Sequence, residues 1–471
     1  MTDKITINPV TRIEGHAKIT ISLNSQGFVE NALFHVTQFR GFEKFCQGRP
    51  FYEMPTLMAR TCGICSVSHL IAGGKACDAL LSVEIPVAAK KLRKIFNLGQ
   101  LIQSHALSFF YLSAPDIFLG MDEDPLKRNI TGLLEKYPDF TKDGIKLRKM
   151  GQSIIDILAG KRIHPFYVVP GGVNQPISQE SREEILGFVP EIIRITKNAI
   201  NLLKEQFSSL KLEIGTFGNF PTLFMGLVDN EGKIRHYEGA LRVVDSSGNL
   251  IKDKLDPANY ADFIGEKAEN WSFMKFPYFK DFGYLEGAYR VGPLARLNVC
   301  SSCGTPEADI QLKEFRQIAG YPALSSFYYH WARLIEIIYA GEKIGMLLDD
   351  PDIVSNHICA DAGPNCYEGV GVSEAPRGIL IHHYKIDENG LITWANLVIA
   401  TGHNNLSMNH AVLQVARHFI KGDDIKEGFL NRIEAVIRAY DPCLSCATHS
   451  VGRIAPTIAI INHKGEIIRE I

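Results

Sequence analysis

Two Cys-x-x-Cys pairs lie near opposite ends of a 471-residue chain, "RTCGICSVSH" at 60–69 and "DPCLSCATH" at 441–449. A fold that brings the two ends of the chain together would join Cys62, Cys65, Cys443 and Cys446 in one four-thiolate site. Each spacing lets two sulfurs converge on one ion, and thiolate is a soft ligand suited to zinc, iron-sulfur clusters or nickel. Spacing alone favours zinc. The chain carries ten cysteines and opens on "MTDKITINPVTRIEGH", with no apolar run behind a basic start. No secretory signal and no run of eighteen apolar residues is present, so reduced thiols, a cytoplasmic location and no membrane span are expected. A third pair, "CSSC" at 300–303, has small polar neighbours and no following histidine. It reads as structural or incidental.

Lys plus Arg (50) balances Asp plus Glu (52), which gives no electrostatic case for a nucleic-acid partner. Alternating apolar residues predict a small sheet at about 4–38, turning at "SQG". Helical periodicity marks 87–113, stopped by Pro115, then 181–213, interrupted by Pro190, and 325–348. A further hairpin is expected at 378–400, turning at "DENG". The fold class is α+β, a long central helix bundle (about 87–349) with small peripheral sheets and hairpins. No linker or repeat is visible, so 1–449 reads as one interwoven domain. The stretch "GVGVSE" (369–374) lacks the third glycine and the βαβ context of a dinucleotide site, so this chain alone is not expected to bind NAD.

The segments "NPVTRIEGHAKI", "RGFEKFCQGRP", "RTCGICSVSH", "GPLARLN", "EAPRG" and "DPCLSCATH", taken together and in order, resemble the large subunit of nickel-iron hydrogenases. "HPFYVVPGGV" and "FPYFKDFGYLEGAYRVGPLARLN" are most similar to the soluble, bidirectional branch that exchanges electrons with NAD(P). The resemblance implies the large-subunit fold and a catalytic subunit that oxidises H2 reversibly at a nickel-iron centre bearing cyanide and carbon monoxide on iron. Cys62 and Cys443 would bind nickel alone, while Cys65 and Cys446 would bridge nickel to iron. Glu14 matches a carboxylate that moves protons away from Cys443. Arg377 matches an arginine over the metals, flanked by Asp116 and Asp441. His69 matches a donor to a bridging sulfur, and Thr401 a hydroxyl that hydrogen-bonds an iron ligand. Glu43, the Leu397 carbonyl and His449 match the ligands of a separate magnesium.

The same resemblance implies an iron-sulfur small subunit, flavin- and NAD-binding diaphorase subunits, nickel-insertion factors and an endopeptidase that removes 450–471 after His449. Ala400 stands where many members have proline, which weakens the local match at Thr401. Two other readings remain open at this stage: an electron-transport or quinone-linked relative that kept its cysteines, and a structural four-cysteine zinc protein.

Overall fold

The computed structural model describes residues 4–422 and 425–450, together with the backbone of two short strands, Ala459–Ile461 and Ile467–Glu470, paired antiparallel. Residues 462–466, between these two strands, lie outside the described residues.

Strands β1 (Lys4–Ile7), β2 (Ala17–Leu23) and β3 (Val29–Val36) form an antiparallel meander, with Ile19, Ile21, Phe34 and Val36 turned into the core. Helix α1 (Ser66–Leu81) begins immediately after Cys65. Helix α2 (Val87–Ala106) is buried on every side from Ile95 onward, as suits the centre of a bundle. Its continuation differs from expectation, because the chain widens into π-helical turns at Leu107–Ser113 and Pro115–Leu119. Pro115 therefore opens a further turn, and Gly120, at φ 110°, ends the run. Such widened turns are rare and concentrate at functional sites.

Helices α3 (Pro138–Ala159) and α4 (Gln179–Glu205) complete the first half of the bundle. Pro190 does not interrupt α4, in which it stands exposed within a continuous helix. Strands β4 (Leu223–Val228), β5 (Ala240–Val244), β6 (Leu250–Leu255) and β7 (Tyr289–Arg290) form a sheet ordered β7-β4-β5-β6, with the β7-β4 pair parallel. The short helix α5 (Pro293–Val299) and the helix α6 (Tyr329–Leu348), fully buried from Tyr329 to Gly341, follow. Strands β8 (Glu368–Ala375), β9 (Gly378–Ile386) and β10 (Ile392–Val398) form the last large sheet, its second hairpin turning at Asp387–Gly390 as the sequence indicates. Helices α7 (Asn405–Phe419) and α8 (Glu427–Tyr440) lead to the second cysteine pair. The main apolar core gathers buried residues from Ile7 to Ala447.

The glycines of "GVGV" have a packing role. A Cβ on Gly371 would stand 2.0 Å from the Ala72 carbonyl, and one on Gly369 would stand 2.4 Å from that of Ala76. Strand β8 thus lies directly against α1, the helix that carries the first cysteine pair. No helix among the described residues is long and apolar enough to cross a membrane.

Candidate metal centre

Segment 62–65 and segment 443–446 meet in the interior, and the four sulfurs lie within 4.8 Å of one another. Cys62 and Cys443 approach to 3.1 Å, Cys65 and Cys443 to 3.7 Å, and Cys65 and Cys446 to 3.7 Å, with no disulfide among them. All four are at most 5% exposed. Thiols gathered in this way share hydrogen bonds; those from Cys443, Cys446 and Cys62 hold Cys65 well below the usual thiol range. A buried set of four soft donors fits a thiolate-bound transition-metal centre.

The surrounding contacts show why distant motifs occur together. The Arg40 guanidinium donates to Thr61 O (3.0 Å) and Ser445 O (3.2 Å), tying the two cysteine segments to each other. Gln100 and Gln103, on α2, both donate to the Ile64 carbonyl, at 2.6 and 2.9 Å. Arg296 of "GPLARLN" donates to Glu374, Ala375 O and Pro376 O, at 2.7, 3.0 and 3.0 Å, and so holds the loop that presents Arg377. Gly292, at φ 90°, permits this approach, since a Cβ there would meet the Arg377 carbonyl at 2.7 Å. Arg40, Gln100, Gln103 and Arg296 were not among the expected site residues. "RGFE" and "GPLARLN" carried the signal for Arg40 and Arg296, whereas the two glutamines sit in ordinary helical sequence.

Arg377 is 3% exposed and donates to the Asp441 carboxylate at 3.0–3.1 Å, to Asp441 O at 2.5 Å and to Ser104 Oγ at 3.2 Å. Burial works against its charge, but Asp441 and the nearby thiols of Cys443, Cys65 and Cys62 more than compensate and keep it cationic. Asp116 departs from expectation. Its carboxylate is bound by Arg12, by Arg438 at 3.0 Å and by Asn431 at 3.2 Å, with Arg128 at 3.4 Å, and it makes no ion pair with Arg377. The reason lies in the local charge balance: two arginines from the N-terminal loop and α8 converge on Asp116, whereas Arg377 is already satisfied by Asp441. Burial raises Asp116, yet Arg438 and Arg12 outweigh it and hold the carboxyl below its ordinary range.

The same cluster anchors the loop bearing Glu14. Arg438 also donates to Thr11 O and Thr11 Oγ1, at 3.0 and 2.9 Å. Glu14 pairs with Cys443 along the backbone, Leu444 N donates to Glu14 O at 3.0 Å, and the Glu14 carboxylate accepts from Ser445 N (3.0 Å) and from the Ser445 hydroxyl. Gly15, at φ 90°, allows this contact, because a Cβ there would stand 2.6 Å from that of Leu444. Glu14 is half-buried and His16 is exposed.

The Thr401 hydroxyl accepts from Cys443 N at 3.0 Å, which leaves its own proton free to be donated. His69 is 1% exposed, and its Nδ1 lies 3.0 Å from His382 Nε2. At the expected magnesium position, Glu43 accepts from Leu397 N and Lys275 Nζ, both at 3.0 Å, and lies 3.2 Å from His449 Nδ1. Burial raises Glu43, but His449, Lys275 and the Leu397 amide together bring it down to about 2. Glu43 and His449 are brought together as expected, whereas Leu397 meets Glu43 through its amide N–H and not through the expected carbonyl. Lys275, also 2.8 Å from Asn396 Oδ1, is a cation the sequence reading did not place there.

Fold and site together define a nickel-dependent hydrogenase. The family model of that description, Nickel-dependent hydrogenase, matches residues 40–123 and 229–449, and one described as HoxL-like matches 4–39; the chain belongs to this family. It is 41% identical to the beta subunit of the NAD-reducing hydrogenase HoxS of Cupriavidus necator, over 100% of this chain and 99% of that one. With the matching chain of the vhu F420-non-reducing hydrogenase of Methanocaldococcus jannaschii it shares 45% identity, over 89% of this chain and 100% of that one. A crystal structure of an NAD+-reducing NiFe-hydrogenase in the H2-reduced state superposes with a TM-score of 0.92 at 43% identity, covering 95% of this chain and 100% of that one. The reduced Ni-Fe-Se hydrogenase of D. vulgaris Hildenborough gives 0.78 at 25% identity, with the same coverage. The match confirms the α+β large-subunit architecture.

Proposed function

We propose that this chain is the hydrogen-activating subunit of an enzyme that oxidises H2 reversibly and passes the electrons to NAD(P) through partner subunits. The observation that carries the reading is the convergence of four buried sulfurs from the two ends of the chain, with a charged Arg377 and the Glu14 carboxylate beside them. Cys62, Cys65, Cys443 and Cys446 would hold a nickel-iron centre, Cys62 and Cys443 as ligands of nickel and Cys65 and Cys446 as ligands of both metals, with carbon monoxide and cyanide on the iron. Bound there, it would supply the redox chemistry for heterolytic splitting of hydrogen.

The chain's own residues bind, shield and move protons. Burial of the cysteines excludes bulk water, which strengthens every charge interaction around them. Glu14 takes the proton released at Cys443 and carries it toward the surface near His16. Arg377, oriented by Asp441, holds a fixed positive charge beside the sulfurs, where it stabilises negative charge that develops in the reaction. The Thr401 proton is available to an iron ligand. Asp116 supports Glu14 through Arg438 and the N-terminal loop, and does not take part in the Arg377 pair.

Glu43, Leu397 and His449 would bind magnesium, a hard ion suited to the carboxylate. Occupation requires Lys275 to yield Glu43 and keep Asn396. Electrons would leave through a small iron-sulfur subunit, then through a flavin-containing diaphorase in the cytoplasm. Nickel-insertion factors would load the site, and an endopeptidase would then remove 450–471. Intact mass of the active subunit tests that step, and retention of Ile471 would exclude it. The function is tested by H2-dependent reduction of NAD(P)+ in the purified complex. Absence of hydrogen uptake with NAD(P)+ and with an artificial acceptor alike would overturn the reading.

A further inference from the structure

Away from the cysteines, α2, α6 and the chain between β4 and β5 line a cavity of about 90 Å³ that carries three cations, Lys94, Arg235 and Lys343. A single water needs only about 10–15 Å³, so the space takes a larger guest. Asn97 and His236 line it too, and are only 2% and 4% exposed. The Asn97 amide nitrogen donates to His236 O at 3.1 Å and to Glu374 O at 3.2 Å, so the end left for a guest is the acceptor oxygen. His236 stacks on Tyr339, ring centroids 5.2 Å apart, with Nε2 3.5 Å from Glu336 Oε1. Asn97 Oδ1 and His236 Nδ1 have no hydrogen-bond partner among the described residues. Of the cations, Lys94 donates to Glu238 at 2.5 Å and Arg235 to Asp229 at 2.6 Å, and Glu238 is already shared with Lys90 at 2.6 Å. Lys343 has no ion pair or hydrogen bond among the described residues.

We propose that this cavity binds a small oxyanion that still carries an O–H, of the hydrogen phosphate class. Cations gathered on one cavity, one of them without a counter-ion, call for negative charge in their midst. Burial and then the charges of Arg235, Lys94 and Lys233 hold Lys343 below the usual lysine range, Asp229 offsets this only in part, and an anion would relieve it. Charge is only half of the demand. Asn97 Oδ1 accepts and cannot donate, so the guest must also bring a proton. Hydrogen phosphate supplies both at neutral pH, its anionic oxygens facing the three cations and its hydroxyl facing Asn97. Sulfate has the same tetrahedral shape but no proton at that pH, and would leave the Asn97 oxygen stranded. The site also adjoins the support of the metal centre: Glu374, whose carbonyl Asn97 engages, accepts from Arg296, the residue that holds the Arg377 loop. The inference does not depend on which metal the cysteines hold.

Calorimetric titration of the purified complex with inorganic phosphate, at constant ionic strength in chloride, tests the proposal. Wild type should show a phosphate site that Lys343→Met weakens about tenfold or more, the scale of one charge-assisted hydrogen bond. Phosphate held by other subunits contributes alike to both and cancels. Titrations that coincide for wild type and variant would overturn the site. Sulfate should bind there about tenfold more weakly than phosphate, for want of the proton that Asn97 accepts. Equal binding of the two anions would overturn the proposal as well. Lys343 leaves no partner stranded, so its variant is expected to fold. Should it not, crystals of the wild-type complex soaked in arsenate, a protonated oxyanion with an anomalous scatterer, should show arsenic between Lys343, Arg235 and Asn97. A soaked crystal without that peak would count equally against the site.

Discussion

Glu14 and Asp116 show how differently two carboxylates can serve one site. Glu14→Gln keeps the shape and the Ser445 contacts but loses the titrating oxygen. It should leave metal content intact and slow hydrogen-deuterium exchange about 100-fold or more, the range of a positioned acid-base group. An unaffected exchange rate would remove Glu14 from the proton path. Asp116→Ala should cost about 3 kcal/mol or more, because it strands the cations of Arg12 and Arg438 in the interior. Urea unfolding checks this. Since the folded Asp116 carboxyl lies below its ordinary 3.8, its stabilisation is complete above that value and fades as the pH falls through the depressed one. Asp116→Asn should therefore flatten the acid limb of a stability-against-pH curve. An acid limb as steep as wild type would show that other groups dominate it.

At the scale of elements, the sequence disclosed what is periodic and concealed what depends on neighbours. The opening sheet, the hairpin at Asp387–Gly390 and the helices begun at Val87 and ended at Leu348 followed from apolar spacing and turn residues. Pro115 and Pro190 misled because a proline need not end a helix: Pro115 opens a widened turn, and Pro190 stands inside a helix that continues past it. The expected Arg377–Asp116 pair failed because pairing depends on which cation arrives from a distant segment. No local pattern announces that Arg438 will take Asp116. "GVGV" could be excluded as a nucleotide loop, but its true role needed the position of α1. Gly371→Ala should force α1 and β8 apart, destabilise the protein by about 1–3 kcal/mol and reduce nickel retention. Thermal unfolding and metal content measure both effects, and a variant with wild-type Tm would show that the contact can relax.

For the whole molecule, the central feature is that no part of the site is local. The loop at 62–65 is held by Arg40 and α2, the segment at 443–446 by Glu14 and Thr401, and the Arg377 loop by Arg296. Losing one sulfur should therefore unload the centre without unfolding the chain. Cys65→Ser should retain less than a tenth of wild-type nickel while keeping its far-ultraviolet circular dichroism, and wild-type nickel content would contradict a bridging role. The account as a whole is tested most directly by metal analysis of the purified complex combined with its infrared spectrum. It predicts nickel and iron in equal amounts per chain with carbon monoxide and cyanide bands, whereas equimolar zinc, no nickel and a silent spectrum would contradict it.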